Sequence, residues 1–281
     1  MIFKKNLVLQ AKGSKPIVYD VCYNQTESPK PIVIFCHGYK GFKDWGAWDL
    51  VAKSFANAGF FFLKFNFSHN GGTVEQPIDF PDLEAFGQNN FSKELYDLTC
   101  MINLFSAKNE FEKEVDPQDI SLIAHSRGGG IILIKAEEEP KVKKVISWAG
   151  VSDFKSRFHE NTDGFKQWKK TGITYVENGR TKQQMPHDFQ FYKDFIANEK
   201  RLTISRATKN LNIPLLIIHG NNDKNVLVEE ARAIKQWSSR GKLEIIKDAD
   251  HVFGAKHPWE ENELPTDLQK AVDFSIKFLN N

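Results

Sequence analysis

Residues Ile120–Gly130 read ISLIAHSRGGG, and Ile131, Ile132 and Ile134 follow. The run Ile120 to Ser126 is apolar and short, as a buried strand is. The isoleucines after it belong to an apolar helix. The chain must therefore turn sharply at Ala124-His125-Ser126-Arg127-Gly128. A serine on such a strand-to-helix turn is held on strained backbone with its hydroxyl pointing off the sheet edge. Small residues two before and two after are needed because helix and strand crowd each other there. Ala124 and Gly128 supply them. The competing reading is a serine that only caps the helix. The partners found downstream weigh against it.

On either side of this turn the same alternation repeats. Apolar strand patterns are expected at Pro31 to Gly38, Phe60 to Phe67, Val142 to Gly150, Ile213 to Gly220 and Lys242 to Asp250. Helical spacing of apolar residues separates them, as at Trp48, Val51, Ala52 and Phe55, or Leu95, Leu98, Ile102 and Phe105. Continuous apolar strands alternating with helices predict an α/β fold, a mostly parallel sheet covered on both faces. Two further strands, Ile2 to Leu9 and Pro16 to Tyr23, precede it in a hairpin-like arrangement. Ligands of such sheets bind outside the carboxyl ends of the strands.

One segment breaks the rhythm. Residues 151–211 lack the alternation and are too long for a structureless loop. They include Asn178-Gly179 between alternating runs, a two-residue hairpin signal, and many aromatics. The segment reads as a cap inserted into a core formed by 1–150 and 212–281. Phe165, Trp168, Phe189 and Phe191 are the expected substrate-binding residues on its underside.

A serine hydroxyl needs a base to become a nucleophile, and the base needs an orienting acid. Both are available at later strand ends: Asp223 in HGNND and His251 in DADHVF. The order Ser126, Asp223, His251 is the one expected on this kind of sheet. Asp153 is the rival acid. Asp248 and Asp250 are poorly placed to reach the far nitrogen of a histidine so near in sequence. In HGYKG, His37 to Gly41, the Tyr39 N–H is the expected donor to a developing oxyanion, with the Arg127 N–H as the second. His37 reads as a structural residue of that turn, and Lys40 as a solvated charge.

With these residues in view, the chain resembles the α/β-hydrolase superfamily from about Pro31 to its end. The resemblance rests on HGYKG, AHSRGG, HGNND and DADHVF in the family's order, and on the position of the cap. Within it, the chain is similar to feruloyl- or cinnamoyl-esterase-like enzymes and to the catalytic domains of acylaminoacyl and prolyl oligopeptidases. The first position of the turn is Ala124 where the commonest pattern has Gly. The resemblance implies a serine hydrolase that needs no cofactor and acts on a small-molecule carboxylic ester. A peptidase or amidase using the same triad, and a non-catalytic ligand receptor, are the alternatives.

Composition limits the other classes. The chain has 281 residues, 41% hydrophobic and 26% charged, with a net charge of +2. That balance gives no support for nucleic-acid binding. The 23 Phe indicate a thick core, an apolar pocket, or both. Cys22, Cys36 and Cys100 read as structural thiols of a reducing compartment, and no apolar run suits a membrane span. A cytoplasmic location is therefore expected. The eight histidines show no metal-ligand spacing, so neither metal nor membrane is expected as a partner.

Overall fold

A strand that is apolar at nearly every position needs cover on both faces, and the computed structural model provides it. It describes residues 1–105 and 109–281. In chain order its first elements are β1 (Ile2–Leu9), β2 (Ile17–Tyr23), β3 (Lys30–Cys36), α1 (Trp48–Asn57), β4 (Phe61–Phe65), α2 (Leu83–Gly87) and α3 (Phe91–Leu104). Next come β5 (Val115–His125), α4 (Arg127–Glu138) and β6 (Val142–Trp148). The segment that breaks the rhythm holds a short 3-10 turn at Lys155–Phe158, α5 (Asp163–Thr171), the pair β7 (Ile173–Glu177) and β8 (Gln184–Asp188), α6 (Gln190–Ala197), α7 (Glu199–Leu202) and α8 (Ile204–Asn210). The chain closes with β9 (Leu215–Gly220), α9 (Val228–Trp237), β10 (Gly241–Ile246) and α10 (Thr266–Leu279).

The large sheet has eight strands in the order β1-β2-β4-β3-β5-β6-β9-β10. β1 and β2 pair antiparallel, as does β2 with β4; from β4 to β10 every pairing is parallel. Side chains alternate between two cores. On β4, Phe61, Leu63 and Phe65 join the core under α3 and α4, whereas Phe62 joins the core under α1 and α10. The second core stacks aromatics from strand to helix, with the Phe35 and Trp48 ring centres 4.9 Å apart. The surplus of Phe is thus largely a matter of the two core layers.

Lys64 is the polar exception on β4. Its buried ammonium pairs with Asp20 at 2.6 Å and Asp49 at 2.8 Å, and Lys43 pairs with Asp20 at 2.8 Å. Asp20, Asp44 and Asp49 come close enough together to hold a metal ion. The lysine ammonium groups already supply the positive charge there, and removing one partner of such a buried pair costs about 3–5 kcal/mol.

Three expected boundaries shift. β5 begins at Val115, because Val115 and Asp116 pair with Lys30 and Pro31 before the register slips to Ile32 opposite Ile120. Residues 117–119 bulge out between, where Pro117 has no N–H to give to the ladder. β10 stops at Ile246, and Asp248 follows in left-handed backbone with φ 61°. β7 and β8 form the expected hairpin, with Glu177 opposite Gln184, but the turn is not Asn178-Gly179 alone. It runs over 178–183, and the Asn178 side chain accepts from the N–H of Arg180 at 3.0 Å. Asn178 acts as an Asx-turn residue, the other use of Asn in a turn. Among the described residues no helix is long and apolar enough to cross a membrane.

Candidate active site

Ser126 lies between β5 and α4 with φ 57° and ψ −123°, a conformation that costs a non-glycine residue about 1–3 kcal/mol. The surroundings hold it there. Its N–H donates to the Trp148 carbonyl at 2.9 Å, and its own carbonyl accepts from Gly129 N–H at 2.9 Å. The demand for small neighbours is steric. A Cβ on Gly128 would lie 2.7 Å from the His37 carbonyl oxygen and 3.2 Å from the Ala124 side chain. A Cβ on Gly38 would lie 2.8 Å from that of Ser126. Ala124 thus fits where the commoner pattern has Gly, and the turn after β3 lies in van der Waals contact with the serine.

From Ser126 a chain of hydrogen bonds leads into the protein. The His251 Nε2 lies 3.0 Å from Ser126 Oγ, and its Nδ1 lies 2.7 Å from Asp223 Oδ2. Asp223 is buried, and its other oxygen accepts from the N–H groups of Asn225 at 2.8 Å and Val226 at 2.9 Å. Burial works against the Asp223 charge. Hydrogen bonds from His219, His251 and the Val226 N–H outweigh it and hold the carboxyl well below the usual carboxylate range. The three residues stand at the carboxyl ends of β5, β9 and β10, as the topology requires.

The rival acids lie elsewhere. Asp153 is exposed and accepts from the N–H groups of Lys155 at 2.9 Å and Ser156 at 3.1 Å. Asp250 accepts from the N–H groups of Val252 and Gly254 in its own turn. Asp248 is exposed. Among the described residues, the backbone N–H groups of Tyr39 and Arg127 donate to no protein acceptor.

No protein-family model and no curated protein matches this chain. Solved structures do. An esterase domain from Rhodothermus marinus is 18% identical, with a TM-score of 0.63 over 99% of this chain and 96% of that one. Est1E from Butyrivibrio proteoclasticus, in complex with ferulic acid, is 16% identical with a TM-score of 0.72 over 98% of this chain and 100% of that one. A putative dienelactone hydrolase from Klebsiella pneumoniae is 14% identical, with a TM-score of 0.64 over 100% of this chain and 98% of that one. These likenesses span both chains, and they decide the fold. The chain has the α/β-hydrolase fold.

In this α/β-hydrolase fold the serine opens onto a cleft of about 780 Å³ bounded by residues of 151–211. Of the four aromatics expected to line it, Phe165, Trp168 and Phe191 do. Phe189 does not. Its buried ring packs behind them, 5.1 Å from the Trp168 ring centre and 5.3 Å from that of Tyr192. Phe154 and Phe158 line the cleft instead. Tyr39 joins the two parts of the chain, its hydroxyl 2.7 Å from His187 Nε2 on β8. Lys40 is not a freely solvated charge. It lines the cleft, and its ammonium donates to the Glu177 carbonyl at 3.0 Å. α8 packs against α4 and α9, in the helical layer that covers the sheet.

Two histidines behind the site escaped the sequence reading. His125 is buried, and burial, with His251 beside it, pushes it down to about 3. As a neutral ring it donates Nε2–H to the His251 carbonyl at 2.8 Å and so supports the loop that carries His251. His219 is fully buried, with Nε2 2.8 Å from the Val226 carbonyl and 3.3 Å from Asp223 Oδ2. Its place in HGNND, four residues before Asp223, was the only available signal. His37 meets its structural expectation, accepting from Phe67 N–H at 3.2 Å while Nδ1–H donates to the Gly38 carbonyl at 2.8 Å.

These buried rings make the fold acid-sensitive. Burial pushes His37, His69 and His187 down to about 4 and His125 to about 3. An unfolded chain would carry them near the ordinary value of about 6.5. Between about pH 4 and 6.5 the unfolded chain therefore binds more protons, and stability falls as pH falls. Asp97, pushed up to about 7 by burial, opposes this, because its folded form keeps its proton in the same interval. Four groups against one give a net loss. Urea denaturation at pH 6.5 and 4.5 should show the lower midpoint at pH 4.5, and an unchanged or higher midpoint would contradict the neutral histidines.

Proposed function

We propose that the protein is a serine hydrolase that cleaves carboxylic esters of small molecules through an acyl-enzyme. The observation that carries this reading is the hydrogen-bonded series Ser126–His251–Asp223 opening onto an apolar cleft. Ser126 Oγ attacks the acyl carbonyl while His251 Nε2 takes its proton. Asp223 keeps the other imidazole proton on Nδ1 and stabilises the imidazolium as it forms. The Tyr39 and Arg127 N–H groups stabilise the oxyanion, a contribution worth about 2.7–4 kcal/mol per donor in comparable sites. His251 returns the proton to the leaving alcohol, then activates the water that releases the acid.

Residues 1–150 and 212–281 form the catalytic core in this account, and 151–211 form the cap that shapes the acyl pocket. Phe154, Phe158, Phe165, Trp168 and Phe191 supply flat, rigid apolar walls at little entropic cost. Aromatic or medium-length acyl groups are favoured over acetyl. The ferulic acid complex of the structurally similar Est1E accords with an aromatic acyl group.

A panel of 4-nitrophenyl esters with matched peptide anilides tests this reading. Each methylene buried contributes about 0.8 kcal/mol, and partial burial of the chain makes kcat/KM rise by about tenfold or more from acetyl to hexanoyl. Equal turnover of acetyl and hexanoyl esters would sink the apolar acyl pocket. Turnover of the anilides alone would replace the esterase by an amidase.

A further inference from the structure

We propose that the substrate carries a negatively charged group, a carboxylate on its acyl portion, and that Lys40 receives it. This deepens the esterase reading above and rests on it for which bond is cleaved. The charge around the cleft is one-sided. Lys40, Arg127 and Arg157 line it, and among the described residues no aspartate or glutamate does.

The two arginines are already matched from behind. Arg127 pairs with the buried Glu94, and Arg157 with Glu230. Lys40 has no such partner, since among the described residues no carboxylate oxygen lies within salt-bridge distance of its ammonium. Its contacts are the neutral Glu177 carbonyl at 3.0 Å and the face of the Tyr39 ring, whose centre lies 5.1 Å away. The Glu177 side chain is turned to Lys182, at 3.4 Å. Burial lowers the Lys40 ammonium from its ordinary value, and the Glu177 carboxylate acts against that from farther off.

A half-buried cation served by one carbonyl and one ring face retains hydrogen-bonding capacity, because an ammonium has three donors. An anion is the natural complement. Lys40 is also one residue from the proposed oxyanion donor Tyr39, so its side chain is tethered beside the reacting carbonyl. The aromatic wall takes the apolar body of the acyl group, and Lys40 takes its charged end. A hydrogen bond to a charged group contributes about 1.5–3 kcal/mol, which corresponds to at least tenfold in kcat/KM.

The test compares two esters of similar length, 4-nitrophenyl hydrogen adipate and 4-nitrophenyl heptanoate. The wild-type protein should favour the adipate by about tenfold or more. In Lys40→Met the ratio of the two kcat/KM values should fall towards one, and a general loss of activity cancels in that ratio. A second arm does not depend on turnover. Adipic acid monoanilide and hexananilide are titrated calorimetrically into Ser126→Ala and into Ser126→Ala/Lys40→Met. The anionic anilide should bind the first about tenfold more tightly than the neutral one, and the advantage should vanish in the second. Equal binding of the two ligands to Ser126→Ala, or an advantage that survives Lys40→Met, overturns the proposal. Hydrolysis of neither ester, with the binding difference intact, would overturn the esterase reading and leave the anion site standing.

Discussion

Asp223→Asn is expected to lower kcat for ester hydrolysis by about four orders of magnitude. The reason lies in the partners of the two carboxylate oxygens. One accepts from the N–H groups of Asn225 and Val226, and the other faces His251 Nδ1. An asparagine would keep its oxygen on the backbone donors, since two buried N–H groups without an acceptor are costly. Its NH2 would then point at His251 Nδ1. That nitrogen would have to accept, and the imidazole proton would move to Nε2, the atom that must take the proton of Ser126. The geometry survives while the tautomer is wrong. Asp153→Asn, which alters only a surface turn, should stay within about tenfold of wild type. The comparison is made on kcat for one ester, with circular dichroism to verify folding. A large loss in Asp153→Asn with none in Asp223→Asn would reassign the acid and leave the fold untouched.

What the sequence showed well was whatever depends on neighbours along the chain. The turn at Ser126 could be read because its strand, serine and helix are contiguous in the chain, although the closest contact that a Cβ on Gly128 would make is with the distant His37 carbonyl. The mostly parallel direction of the strands followed from the alternation of strands and helices. Position at the strand ends pointed to Asp223 and His251, with Asp153 as a rival, and the folded chain brings the first two to Ser126.

Features set by distant contacts were not legible. Phe165 and Phe189 both belong to residues 151–211, yet one faces the cleft and the other packs behind Trp168. Nothing in their spacing separates them, because the hairpin and two helices that divide inside from outside are short. Asn178-Gly179 suggested the tightest hairpin turn. The Asn side chain bonded to the backbone ahead of it instead, so the loop stayed open. Lys40 looked like any surface lysine until the chain brought the Glu177 carbonyl and the Tyr39 ring against it. His125 and His219 lie next to conspicuous motifs, but their contribution is made through the His251 carbonyl and Asp223. Those contacts exist only after β5, β9 and β10 have come together.

The central claim is that Ser126 is a nucleophile. Its hydroxyl is one hydrogen bond from the His251 imidazole at 3.0 Å, on backbone held at φ 57°. Removing the hydroxyl leaves nothing to form the acyl-enzyme, and loss of a nucleophilic serine in this kind of triad costs about 10⁶ in kcat. A fluorophosphonate asks the same question without any assumption about the substrate. It phosphonylates an activated serine, expels fluoride, and leaves a product that resembles the tetrahedral intermediate. Intact-mass measurement of the folded wild-type protein should show one adduct, mapped by peptide sequencing to Ser126, and Ser126→Ala should show none. Folded wild-type protein that stays unlabelled, or a Ser126→Ala variant labelled equally well, would contradict the account.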